Sequence, residues 1–90
     1  MDLLFDTKKD ESNLAKHGIN LSLAQSLEWE DALSWIDARK DYGEIRHISL
    51  VPLKQRLYCV VYVDNKFTRR IIRLRKANNR EIDRYEKENN

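Results

Sequence analysis

The stretch Leu57–Arg80, LYCVVYVDNKFTRRIIRLRKANNR, decides the fold. Its first seven residues are apolar on both faces of an extended chain, which predicts the most central strand of a sheet. The turn-like separator Asp64-Asn65-Lys66 is far too short for the crossover that parallel neighbours need, so Phe67–Lys76 reads as an antiparallel partner. Within that partner, Arg69, Arg73 and Arg75 are spaced four and two apart around Ile71. Strand periodicity then predicts three guanidinium groups on one face, with Ile72 and Leu74 entering a core from the other. From Lys66 to Arg80 the chain has seven Lys or Arg and no acid, while the whole chain is only +2, so positive charge gathers at one sequence end. A planar, permanently charged fork suits phosphate oxygens, which makes a polyanion a candidate partner. A solvated edge strand, kept from aggregating by its charges, fits the same composition.

Upstream, Ile45–Val51 and Ala32–Arg39 are further strand-like stretches, set off by Pro52–Arg56 and by Lys40–Gly43. Lys8–His17 predicts a helix of about three turns, with Gly18 at a left-handed C′ position and Ile19 as the apolar residue beyond it. Asn20 or Ser22 is placed to cap a second helix. Ser22 and Gln25 have capping-box spacing, and Leu23, Ala24 and Leu27 form an apolar side that fades near Glu30. Leu3–Phe5 is a candidate short first strand. Asn78 and Glu81 repeat the capping-box spacing and open a last helix to about Lys87, with Ile82 and Tyr85 as its apolar side. The expected architecture is an α+β fold: two N-terminal helices packed on one face of an antiparallel four-stranded sheet, with a short C-terminal helix. Ninety residues are expected to form a single domain over 1–90. The uncovered sheet face would be a platform carrying Arg69, Arg73 and Arg75. Trp29, Trp35, Tyr58 and Tyr62 are then either core residues or stacking surfaces for bases.

No apolar run approaches the roughly 18 residues of a membrane span. The opening MDLLFDTKKDE lacks the basic head and long apolar stretch of a signal peptide, so a cytoplasmic location is expected. Cys59 stands alone in LYCVVYV and reads as a small buried hydrophobe. His17 and His47 are far apart without Cys or His neighbours, so neither a metal site nor a cofactor is expected.

Three blocks of residues carry a resemblance. The first is Phe5-Asp6-x-x-Lys9-x-x-x-Asn13-x-x-Lys16-His17-Gly18-Ile19. The second is Glu44-x-Arg46, in a stretch beginning Asp37-x-Arg39. The third is Arg70-Ile71-Ile72-x-x-Arg75-Lys76-Ala77-x-x-x-Glu81-x-x-x-Tyr85. In this order and spacing they resemble the BrnT-type toxins. The resemblance implies a RelE-like fold and a metal-independent endoribonuclease of a type II toxin–antitoxin pair. It also implies a cognate ribbon-helix-helix antitoxin, BrnA-like, that blocks the toxin, with operator DNA bound only through the complex. The family usually has Ser-Ala where this chain has Arg73-Leu74, a Gly near Val51, and Thr where Val63 stands.

Cleavage of RNA without a metal uses the substrate's own 2′-hydroxyl. The protein must move that proton, protonate the leaving 5′-oxygen and stabilise charge on phosphorus. His17 is the acid–base candidate. Its place at a helix C-terminus favours the protonated ring, suiting a general acid or a phosphate contact; equally, it only caps its own helix carbonyls. Arg46 and Arg75 complete the expected catalytic set, Arg75 as the group stabilising the transition state. Arg46 alternates with Ile48 and Leu50, so a half-buried ion pair with Glu44 or Asp37 is its other reading. Lys9, Lys16, Arg69, Arg70, Arg73 and Lys76 are the expected RNA-binding residues. Lys9, Asn13 and Lys16 share one helix face and either bind phosphate or solvate it. His47 points away from Arg46 and is expected at the surface. Tyr85 anchors the last helix or presents its phenol to the cleft. A non-catalytic nucleic-acid-binding module, or a basic face that docks the antitoxin, accommodates the same arginines.

Overall fold

A computed structural model of the chain describes residues 1–88. The elements run β1 (Asp2–Phe5), α1 (Thr7–His17), two 3₁₀ turns (Leu21–Ser26 and Trp29–Asp31), β2 (Leu33–Ile36), β3 (His47–Leu53), β4 (Arg56–Asp64), β5 (Thr68–Lys76) and α2 (Asn79–Glu88). The strands form one five-stranded mixed sheet in the order β1-β5-β4-β3-β2, with a helix at each end of the chain. This corrects the expected antiparallel four-stranded sheet under two N-terminal helices. β2, β3, β4 and β5 do pair antiparallel in sequence order, as their short connections require. β1 adds a fifth strand, parallel to β5, pairing Asp2–Phe5 with Thr68–Ile71. Nearly the whole chain serves as its crossover, and no local pattern announces such a pairing.

The second expected helix is absent for an identifiable reason. An α-helix from Leu21 would direct the Glu28 N–H to the Ala24 carbonyl. The Glu28 N–H instead bonds Pro52 O at 2.9 Å, and Ala24 O accepts the Trp29 indole N–H at 2.8 Å. Leu21, Ala24 and Leu27 are all buried at a spacing of three, the period of a 3₁₀ turn. The start of the segment is held by Asp10, which accepts the Leu21 N–H at 2.7 Å.

The C-terminus of α1 and the N-terminus of α2 are as read from their residues, while α1 begins one residue earlier, at Thr7, behind an Asp6 cap. Asp6 accepts the Lys8 N–H, and Gly18 ends α1 at φ 71°, its N–H bonded to Leu14 O. At α2, Asn78 Oδ1 accepts the Glu81 N–H at 2.8 Å while Glu81 Oε1 accepts the Asn78 N–H at 2.9 Å.

The core has one cluster on each sheet face. Leu21, Ala24 and Leu27 pack with Val60, Ile71 and Leu74 on the face covered by the 3₁₀ turns. Ile48, Leu50, Cys59, Val61 and Ile72 pack on the other, where Trp35 and Tyr85 flank them. α2 is thus held to this second face, and the Tyr85 hydroxyl donates to Asp31 O at 2.7 Å. Among the described residues no helix is long and apolar enough to cross a membrane.

Candidate active site

The site is made by an irregularity in β5. Leu74 pairs with Val60, Arg73 with Val61, and then Ile71 with Tyr62, so Ile72 is an extra residue. One extra residue reverses the alternation of everything beyond it. Ile71 and Leu74 therefore share one face, while Ile72 joins the cluster that Arg73 and Arg75 border. The expectation of three arginines on one platform is corrected accordingly. Arg69 lies on the opposite face, bidentate to Asp64 (2.7 and 2.9 Å), with its guanidinium 4.2 Å from the Tyr62 ring centroid and 4.7 Å from that of Trp29.

α1 lies along the free edge of β5 beyond the end of β1. Asn13 is 5% exposed and makes the junction. Its Nδ2 donates to Leu74 O (2.7 Å) and Ile19 O (2.8 Å), and its Oδ1 accepts the Leu74 N–H (3.1 Å). Asn13 is thereby a structural residue, satisfying the backbone of a strand edge. The same docking presents Lys9, Lys16 and His17 to a cavity of ≈ 170 Å³ completed by Arg46 and Arg73. A larger cavity of ≈ 560 Å³ adjoins it and shares Arg73 as a wall. Ile48, Cys59 and Val61 line the larger cavity with Trp35, Arg39 and Arg75.

Arg73 is exposed and, among the described residues, has no ion-pair or hydrogen-bond partner. The other arginines expected at the site, Arg46, Arg69, Arg70 and Arg75, are engaged. Arg75 holds Glu81 through two N–H groups at 2.9 and 3.0 Å. Burial alone would raise the Glu81 carboxyl, but its bonds from Arg75 and the Asn78 N–H outweigh that and leave it below its usual range. Arg39 holds Asp37, 6% exposed, at 2.8 and 2.9 Å. That hydrogen bonding drives Asp37 far below the usual carboxylate range against the opposing effect of burial. Arg46 is half-buried, 3.4 Å from Glu44 and 4.1 Å from the Tyr42 ring centroid, and Arg70 bonds the same Glu44 at 2.8 Å. Lys76 lies away from the paired cavities, beside Gln55, Arg56 and Ile82.

His17 departs from its expected charge state. Burial lowers its pKa from 6.5, and Lys16, Arg75 and Arg73 lower it further by repulsion. With its pKa below 6.5, the neutral imidazole prevails at pH 7, contrary to the protonated ring expected from the helix C-terminus. Its Nε2 is buried without a hydrogen-bond partner. His47, expected at the surface, is half-buried: it stacks on Tyr62 at 5.5 Å on the far face. Tyr58, Tyr62 and Trp29 belong to that far-side core, so Trp35 is the one expected stacking residue that lines the paired cavities. Cys59 is 4% exposed and its thiol is pushed up to about 11, chiefly by burial, so it stays protonated. Glu81 and Asp37 were not among the expected functional residues. Their prior signals were a capping-box spacing, an Asp-x-Arg pair and their places in the blocks that carry the family resemblance.

A family model for the ribonuclease toxin BrnT of type II toxin–antitoxin systems matches residues 5–81. No curated protein matches the chain.

Proposed function

The chain belongs to the BrnT family of ribonuclease toxins of type II toxin–antitoxin systems, and from that membership we propose that RNA is held and cut where Arg73 separates the two cavities. RNA as substrate class and an antitoxin as partner follow from the family. The observation that carries the placement is the unpaired, exposed Arg73 beside an uncharged His17 whose Nε2 lacks a partner. A scissile phosphate on Arg73 would also face Lys9, Lys16 and Arg46.

The reaction is an internal transphosphorylation without a metal. His17 takes the proton of the 2′-hydroxyl, and the 2′-oxygen forms a bond to phosphorus as the bond from phosphorus to the 5′-oxygen breaks. The imidazolium returns the proton to the leaving 5′-oxygen, giving a 2′,3′-cyclic phosphate and a 5′-hydroxyl. Arg73 and Arg46 stabilise the charge that grows on the phosphoryl oxygens. Arg75 contributes through Nε–H and the second Nη2–H, the donors that Glu81 and the Lys76 carbonyl leave unused. The metal-free reading is supported by the donor set: each carboxylate lining the larger cavity is already neutralised by an arginine. The cognate inhibitor is a ribbon-helix-helix, BrnA-like antitoxin acting in the cytoplasm.

The test is cleavage of RNA by Arg73→Ala. Loss of one charge-assisted contact of roughly 1.5–3 kcal/mol slows cleavage roughly 10- to 150-fold, with the fold intact because the side chain is exposed. The parent is expected to yield cyclic phosphate ends in the presence of a chelator. Parental rates from Arg73→Ala, or activity that disappears on chelation and returns with magnesium, would refute the placement or the mechanism respectively.

A further inference from the structure

We propose that the larger cavity is a nucleobase pocket selective for keto bases, guanine and uracil, attached to the phosphate that Arg73 holds. The inference rests on the phosphate placement above and adds a second site to it. The two cavities meet at Arg73, so a nucleotide with phosphate on that guanidinium has its base directed into one of them. The smaller cavity is walled by Lys9, Lys16, His17 and Arg46, and would oppose the apolar faces of a base. The larger one offers Ile48, Cys59 and Val61 as an apolar floor and Trp35 as an aromatic wall, and its ≈ 560 Å³ lies within the range of small-molecule sites. An apolar floor with polar groups at the rim matches a base, which has apolar faces and a polar edge. Phosphate has no such faces.

The hydrogen-bonding capacity of the rim decides which edge is read. A carboxylate accepts about four hydrogen bonds. Asp37 takes the Arg39 backbone N–H, two Arg39 side-chain N–H groups and the Tyr42 hydroxyl. Glu81 takes two from Arg75 and one from the Asn78 N–H. Asp37 is therefore filled, and Glu81 has at most one acceptor position left. Donors remain: Arg39 commits Nε and Nη2 to Asp37, leaving Nη1, and its side chain is 70% exposed. Arginine donors read the O6 and N7 acceptors of guanine, or a uracil carbonyl, and meet repulsion from the amino groups of adenine and cytosine.

The probes are the four 3′-mononucleotides and inorganic phosphate, titrated at low salt into the full chain and followed by ¹H–¹⁵N NMR. All five are expected to move signals of Lys16 and Arg73. The nucleotides alone are expected to move the Trp35 indole N–H, with GMP and UMP bound roughly tenfold tighter than AMP and CMP. Arg39→Gln is expected to erase that difference while leaving phosphate binding unchanged. Nucleotides that bind no better than phosphate and leave Trp35 unmoved overturn the pocket but not the phosphate site. Equal affinity for all four bases with Trp35 shifted overturns the keto selectivity. Failure of phosphate itself to bind overturns the placement and the pocket together. The Trp35 readout uses the unaltered protein, so the test stands even where Arg39→Gln disturbs the fold.

Discussion

Asn13→Ala is expected to loosen the joint that brings α1 to the sheet. The substitution removes three hydrogen bonds, two of them to the N–H and C=O of Leu74. Leu74 is 0% exposed, and β1 ends three residues short of it in the register, at Ile71, so no strand takes over these groups. Three ordinary hydrogen bonds are worth about 3 kcal/mol net, and each orphaned buried group adds a penalty of about 1–3 kcal/mol. Counting the orphans and the bonds separately would count the same loss twice, so the expected cost is about 3–5 kcal/mol. A domain of this size has on the order of 5–13 kcal/mol in all, so the effect is large. Urea titration should show a lower midpoint with an unchanged slope, and hydrogen exchange should accelerate first at Leu74. Because α1 carries Lys9, Lys16 and His17, cleavage should fall even where the variant remains folded. Asn13→Asp keeps the acceptor for Leu74 N–H but turns a carboxylate toward two carbonyls, and should regain stability on acidification as that carboxyl protonates. A loss below about 1 kcal/mol, with unchanged exchange at Leu74, would refute the reasoning.

Four further outcomes are expected. Cleavage should rise with pH along a limb centred below 6.5, since neutral His17 is the active form, and Lys16→Ala should move that limb upward by removing a repelling charge; an NMR titration of His17 that shows a raised pKa would contradict this. The same depression makes the unfolded state bind the proton more tightly, so His17 contributes stability above pH 6.5 that is lost as pH falls toward its folded value. Arg69→Ala should cost about 1–3 kcal/mol through its bidentate pair and its two aromatic contacts, while cleavage by the folded fraction stays at the parental rate. A thiol reagent at neutral pH should leave native Cys59 unmodified and label it only on unfolding, because its thiol titrates at about 11.

How much of this was legible depended on how far apart the deciding residues stand. Gly18 ending α1, the Asn78–Glu81 capping box, the central β4 and its antiparallel neighbours all follow from spacings of a few residues, where one turn or one hydrogen bond suffices. The candidate site was partly legible for the same reason. His17, Lys16 and Lys9 lie on one helix, and Arg73 and Arg75 lie two apart on one strand. Asp37 and Glu81 read as incidental partners, because nothing local shows that two distant segments bring their arginine pairs to one cavity.

By itself, then, the amino-acid order determined the family blocks, the caps, the alternation of the strands and the concentration of positive charge after Asp64. Only the tertiary structure decided which way that charge faces. One unpaired residue at Ile72 reversed the alternation and placed Arg69 across the sheet from Arg73 and Arg75, which a periodicity count cannot detect because it assumes an unbroken ladder. The parallel pairing of β1 and the 3₁₀ turns in place of a helix have the same origin. Each depends on groups tens of residues distant, as when Asn13 meets Leu74, and such contacts exist only once the chain has closed on itself.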